Sequence, residues 1–321
     1  MKPDSPFRSG CVAASRQQSC AHLHQFHFDI CKLTLIRQFK DMRLACYFLL
    51  FTLSLHADPI RDFWFSGAEI NRFELTQMRY GESHPGHAEF IFVTEPFLTD
   101  TQVKNESGGS PSTDVLKLNA LRTFNTGLYS YRTMTSTFQP IDLAAFPHAL
   151  KTNTSVQDWC GQAFQQLNKT ESGWRGELRS YFQTKGDRDF ELGDVPLEDA
   201  LWIQLRLDPA QLPLGEIRIV PGAIYARFNH HPIQGEAAEA TLESNGKTST
   251  YALTYAEINR QLEITFDTKF PHIIRSWKEI GATGTTEAVL THRIMNSNYW
   301  SENRAADTPK RKQLGLDPLA N

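Results

Sequence analysis

The chain has no surplus of positive charge: 33 Lys and Arg face 36 Asp and Glu in 321 residues, a formal net charge of -3. A dedicated nucleic-acid binder needs a basic face to neutralise phosphates, so that class of partner is excluded. Long hydrophobic runs are also missing. The most apolar uncharged stretch, 44–57, has 14 residues, whereas a helix crossing a ~30 Å hydrocarbon core takes about 20. Cysteine is scarce, and Cys11, Cys20, Cys31 and Cys46 all precede residue 58, which leaves Cys160 without an intramolecular disulfide partner beyond that point. There is no G-x-x-x-x-G-K-[ST], no G-x-G-x-x-G after a strand, no H-E-x-x-H and no G-x-S-x-G. No nucleotide, metal or other cofactor is implied.

What is present begins with the 44–57 run itself. Lys40 and Arg43 precede it, small Ala57 ends it, and Asp58-Pro59 follows, which is the layout of a secretory signal. Met42 offers a start that gives a basic region of ordinary length. Residues 1–41 are then a mistaken upstream extension or a long leader, 42–57 a signal peptide, and the processed chain starts near Asp58. An N-terminal anchor or a buried helix is the alternative. Residues 1–57 carry seven of the basic and three of the acidic residues, leaving a net of -7 on 58–321. His22, His24 and His27 lie among cysteines in the leader, but the spacings match no zinc pattern.

Beyond residue 58 the chain carries many aromatics and alternates with period two, the mark of half-buried strands. Strands are expected over 73–80, 88–94, 115–124, 129–138, 149–153, 159–167, 174–183, 216–220, 223–228, 237–244, 249–255, 261–267, 272–279 and 286–295. Turns are expected at 81–86 and at Asn245-Gly246. One main helix is expected over 197–207, with Asp194 as its cap and Pro196 in its first turn. The fold class is mostly β: a large curved antiparallel sheet or half-barrel over 58–300, with a possible subdivision into two β subdomains near 186–196. Residues 301–321 read as a mobile tail.

Three clusters bear on chemistry. Cys160 could act as a nucleophile with His148 as base and Asp158 as orienter, since a thiolate needs such a neighbour at neutral pH. The competing reading makes Trp159 or Cys160 a core residue of a strand. His84 and His87, with an acid such as Glu82, could hold a metal, or could be exposed turn residues. Trp202 and Trp277 could line an apolar cavity on the concave face of the sheet.

Arg79-Tyr80-Gly81-Glu82, Val93-Thr94-Glu95, Phe124-Asn125-Thr126-Gly127, Ser136-Thr137-Phe138 and the 154–161 block with Gln166-Leu167-Asn168 together resemble a group of uncharacterised exported bacterial β-rich proteins often labelled "septum formation inhibitor Maf". The resemblance covers 60 to about 300. It implies export and a β-rich fold, and no established chemistry. Genuine Maf proteins are cytosolic α/β nucleotide pyrophosphatases with a Ser-Pro-Arg-Arg element, where this chain has only Asp4-Ser5-Pro6-Phe7-Arg8, so the label's activity does not transfer.

The expectation is an exported, periplasmic or secreted envelope protein that is soluble and without a stable membrane span once its signal is removed. It binds an apolar small molecule or lipid and is not an enzyme. A Cys160-dependent hydrolase and a structural envelope component are the alternatives.

Overall fold

The computed structural model describes residues 59–316; the leader and signal peptide expected at 1–57, and the last five residues of the tail, lie outside the described residues. Among the described residues the strands are β1 (Ala68–Arg79), β2 (Glu82–Leu98), β3 (Val103–Lys104), β4 (Ser112–Thr126), β5 (Tyr129–Pro140), β6 (Lys151–Asp158), β7 (Gly161–Thr170), β8 (Gly173–Ser180), β9 (Arg188–Gly193), β10 (Gly215–Ile219), β11 (Glu236–Ser244), β12 (Thr248–Tyr255), β13 (Arg260–Asp267), β14 (Ile274–Gly281) and β15 (Gly284–Ser297). The helices are α1 (Pro59–Trp64), α2 (Glu198–Leu207) and α3 (Ala223–Phe228). None is long and apolar enough to cross a membrane.

All the strands belong to one sheet, in the order β10-β11-β12-β13-β14-β15-β1-β2-β4-β5-β6-β7-β8-β9, with β3 added beside β2. Each neighbouring pair is antiparallel, including the β1–β15 seam that joins the two ends of the chain. The sheet is not closed, because β9 and β10 remain edges. The mostly β, curved antiparallel architecture expected from the alternation is therefore what the chain adopts. Strict alternation is clearest in β13, where Leu262, Ile264 and Phe266 turn inward and the residues between them do not.

The sheet curves around α2. Burial on nearly every side marks a core helix, and here every residue except the part-buried Asp199 is buried. Leu201, Trp202 and Leu205 pack in one cluster with Phe73 and Phe90 from the middle of the sheet and with Tyr251, Ile264 and Trp277 from its other half. Trp277 stacks on Phe90 with centroids 4.9 Å apart and meets Trp202 edge-on at 5.6 Å. The concave face is thus filled by the protein's own helix.

From β9 the chain turns through α2 to β10, the opposite edge. Val220 N–H donates to Pro196 O and Glu198 N–H to Val220 O, both at 3.0 Å, and these bonds pin the approaches to the two edges together. The stretch 186–196 holds the edge strand β9 of this one sheet and the approach to α2. Asp194 does not cap α2, whose first N–H is satisfied by Val220 instead; its carboxylate lies 3.2 Å from Lys169 and 3.6 Å from His148.

Four further expectations are corrected. Residues 223–228 form helix α3 and not a strand. The turn expected at 81–86 is only Tyr80-Gly81, both at positive φ, and 82–86 are already β2. Pro85 is tolerated there because β4 pairs with β2 only from Gly86 onward, so no ladder bond is lost on that side. Gly86 is needed, since a Cβ would lie 2.4 Å from Thr123 O. The strands expected at 149–153 and 159–167 are β6 and β7, with Trp159 and Cys160 forming the tight turn between them. The described part of the tail is docked: Ala305–Leu314 is a 3-10 helix, Leu314 is buried, and Arg72 donates to Gly315 O at 2.8 Å.

Candidate functional site

Helix α3 divides two recesses. It follows Pro221-Gly222, and its first N–H, that of Ala223, donates to Asp199 Oδ2 at 3.1 Å. At about 100° per residue, Ala223, Ala226 and Arg227 fall on one side and Ile224, Tyr225 and Phe228 on the other. The first side faces a mainly apolar groove against β6, β7 and β8; the second faces a polar cleft against β1, β13 and β14.

The groove is shallow and is lined by Val156, Ala163, Leu178, Ala226 and Ile233 together with polar residues such as Thr154, Gln165 and Ser180. Its inward strand positions follow from the period-two pattern of β6 to β8, in which Thr154, Val156, Ala163 and Leu178 all turn to the same face. At the rim stand Lys185, Arg188 and Arg227. The Lys185 ammonium donates to His230 O at 2.9 Å. Burial, then the charges of Arg188 and Arg227, push the Lys185 pKa down. Arg227 lies over the Phe182 ring at 4.6 Å and is pushed down by burial and by Arg79, with Asp158 opposing. His230 is lowered by burial and then by Arg227, Lys185 and Arg79. His231, also at the groove, is engaged by Glu236 at 3.0 Å.

The polar cleft includes Gln77, Arg79, Arg260, Glu279 and Thr286. Ile224, Tyr225 and Glu279 also wall a smaller inner chamber with Arg122, Glu198, Asp199 and Trp202. Arg122 makes a bidentate pair with Glu279, and Arg260 makes one with Glu198, whose carboxylate also accepts from Tyr255 at 2.7 Å. Glu279 is held below its ordinary pKa: burial pushes it up, but Arg122 and Arg260 outweigh that. Asp199 faces the chamber without a cationic partner. Burial, then the charge of Glu198, raises its pKa to about 7, against the pull of the Ala223 N–H, Arg122 and Arg260. Gly222 sits at the chamber wall because a Cβ there would lie 2.7 Å from Glu198 Oε1.

The residues singled out from the sequence are placed differently. Cys160 is exposed, at the tip of the β6–β7 hairpin, and its N–H donates to Asp158 Oδ1 at 2.6 Å. Trp159 is 69% exposed, so neither residue is in the core. His148 precedes β6 at the other end of that strand, about 25 Å away at some 3.3 Å per residue, and pairs with Asp194. Nucleophile and base are therefore not assembled. His84 and His87 are three apart in β2, which turns them to opposite faces; His84 Nε2 meets Arg79 O at 3.1 Å and His87 Nδ1 meets Glu89 at 2.6 Å. They cannot share a metal with Glu82. Trp277 is core and lines neither recess, while Trp202 borders the polar chamber and not an apolar cavity.

An exposed hairpin thiol gives a direct check. Cys160 is expected to be alkylated to completion by iodoacetamide without denaturant, and Cys160→Ser to change stability by less than about 0.5 kcal/mol. Protection until the protein is unfolded would show that the hairpin tip is covered.

No protein-family model matches the sequence, and no curated protein matches it. Among solved structures, the chain is similar to the crystal structure of a beta-barrel-like protein of the domain of unknown function DUF1849 from Brucella abortus, with a TM-score of 0.45 and 7% identity over 73% of this chain and 99% of that one.

Proposed function

We propose that the protein is exported to the periplasm or beyond, like the β-rich proteins that its motifs resemble, and binds an apolar chain there in the groove between α3 and strands β6 to β8. One observation supports the reading above the others: aliphatic side chains, Val156, Ala163, Leu178, Ala226 and Ile233 among them, give this recess a largely apolar surface, whereas the rest of the concave face is filled by α2. An apolar recess with a few polar groups at its mouth is the usual form of a small-molecule site. The filled concave face favours the rival reading, a structural envelope component, and the same experiment separates them.

The purified protein is titrated with the neutral apolar dye N-phenyl-1-naphthylamine. A saturable fluorescence rise is expected, weakened about tenfold by Ile233→Asp and unchanged by Trp159→Asp, an exposed aromatic outside the groove. Ile233 lines the groove and is only part-buried, so its replacement leaves the buried core in place. No saturable rise, or equal loss with both variants, would leave the structural reading.

A further inference from the structure

We infer that the ligand of the groove is an amphiphile with an anionic headgroup, a carboxylate or phosphate carried on an apolar chain, held by Lys185, Arg188 and Arg227. The inference rests on the proposed chain-binding role of the groove and names the chemistry of its other end.

The argument starts from charge. Three of the most deeply buried guanidinium groups are paired with carboxylates: Arg206 with Glu69, Arg260 with Glu198 and Arg122 with Glu279. Part-buried Arg79 instead donates to Phe228 O, and the groove mouth gathers several cations of this second kind. Among the described residues, Lys185, Arg188 and Arg227 have no carboxylate within ion-pair distance, although residues 58–321 carry a net of -7. Arg227 is half-buried, and its Nε is buried with no hydrogen-bond partner. Cations gathered without counter-charge repel one another at a cost that grows as water is excluded. Burial is the first cause of the downward displacement of Lys185, Arg227 and His230, and neighbouring cations add to it: Arg188 and Arg227 at Lys185, Arg79 at Arg227, and Arg227 with Lys185 at His230. An anion placed among them relieves that repulsion.

Geometry supplies the rest. The three cations do not form an isolated surface patch: each lines the same recess as Val156, Leu178 and Ala226. Arg188 and Arg227 lie over aromatic rings, Phe190 at 5.3 Å and Phe182 at 4.6 Å, which hold the guanidinium groups in place. A molecule with its chain between α3 and the sheet would put its head at this rim. Guanidinium groups bind planar and tetrahedral oxyanions through paired N–H donors. The nearest acid to act on Arg227, Asp158, stands at the hairpin end and is not among the lining residues.

The test displaces N-phenyl-1-naphthylamine with dodecanol, dodecanoate and dodecyl phosphate, and with inorganic phosphate alone. Both amphiphilic anions are expected to displace the dye at about tenfold lower concentration than dodecanol, with the advantage shrinking as salt rises from 0.05 to about 0.5 M. Inorganic phosphate is expected to leave the dye bound. Arg188→Gln and, separately, Lys185→Gln should each reduce the advantage several-fold while dodecanol competes as before. Equal competition by alcohol and anions, or an advantage untouched by either variant, overturns the headgroup assignment while the chain site stands. Anion binding that needs no chain, shown by dye displacement with inorganic phosphate, also overturns it. If nothing saturable is seen with the dye or with dodecanol, the groove reading itself fails.

Discussion

Arg206→Ala is expected to lower the stability of the protein by about 3–5 kcal/mol, the range for a buried pair broken on one side. The guanidinium is fully buried between α2 and the sheet, with both Nη atoms 2.7 Å from the Glu69 carboxylate and Nε donating to Pro271 O at 2.7 Å. It also covers the rings of Trp64 and Phe92 at 4.9 and 4.7 Å. Removing it strands Glu69, which is buried on β1 and left with Arg293 at 2.9 Å and the Asn71 amide. Burial alone would push the Glu69 pKa up. The charge and hydrogen bonds of Arg206, helped by Arg293, reverse that and hold it at about 2, against an ordinary 4.5. The displacement corresponds to about 3 kcal/mol.

The sign follows from linkage. A depressed carboxyl contributes stability in full above its unfolded pKa, near 4.5, and loses it as pH falls through about 2. Urea unfolding at pH 7, 4 and 2.5 should show the wild type converging on Glu69→Gln as the acid limb is descended. An Arg206→Ala protein within 1 kcal/mol of wild type at pH 7 would mean that α2 is not anchored through this pair. The double replacement Glu69→Leu with Arg206→Met should recover much of the loss, because it removes both charges instead of stranding one.

The parts of this structure that were legible in the sequence are those whose cause is local. Leu262, Ile264 and Phe266 alternate because β13 buries one face, and Asn245-Gly246 makes its turn from its own side chains, with Asn245 Oδ1 accepting from Lys247 and Thr248 N–H. Leu201, Trp202 and Leu205 recur at helical spacing because α2 is a helix, although its all-round burial was not visible. Helix α3 was hidden for the opposite reason. Ile224, Tyr225 and Phe228 have strand-forming side chains, and the carboxylate that accepts from its first N–H belongs to Asp199 on another element. The Pro221-Gly222 pair before it was the available signal. With α3 read as a strand, neither recess beside it could be located.

The candidate site also depends on residues brought together from distant stretches. Lys185 and Arg188 precede α2, Arg227 follows it, and Val156 and Leu178 lie on strands between which no sequence spacing measures a distance. Trp202 and Trp277, read from the sequence as walls of an apolar cavity, have rings that pack on each other and on Phe90. A substitution such as Trp277→Asp would therefore test the core and not a ligand wall.

The second large effect concerns Asp199 and has the opposite sign to that of Glu69. Asp199→Asn is expected to stabilise the protein at pH 8 by up to about 4 kcal/mol and to leave it nearly unchanged at pH 3.5. The wild-type carboxyl titrates at about 7 in the folded chain against 3.8 as its ordinary value, chiefly through burial and secondarily through the charge of Glu198. Between those values the unfolded chain releases a proton that the folded chain keeps, so stability falls as pH rises, until the folded group ionises near 7. Asn keeps an oxygen to accept from the Ala223 N–H, so the start of α3 survives the change. Urea midpoints across pH 4 to 8 should decline for the wild type and stay flatter for the variant; parallel profiles would overturn the assignment. Together the two carboxylates place the most stable pH at about 4, between their unfolded values of 4.5 and 3.8, where the proton uptake of one balances the release of the other.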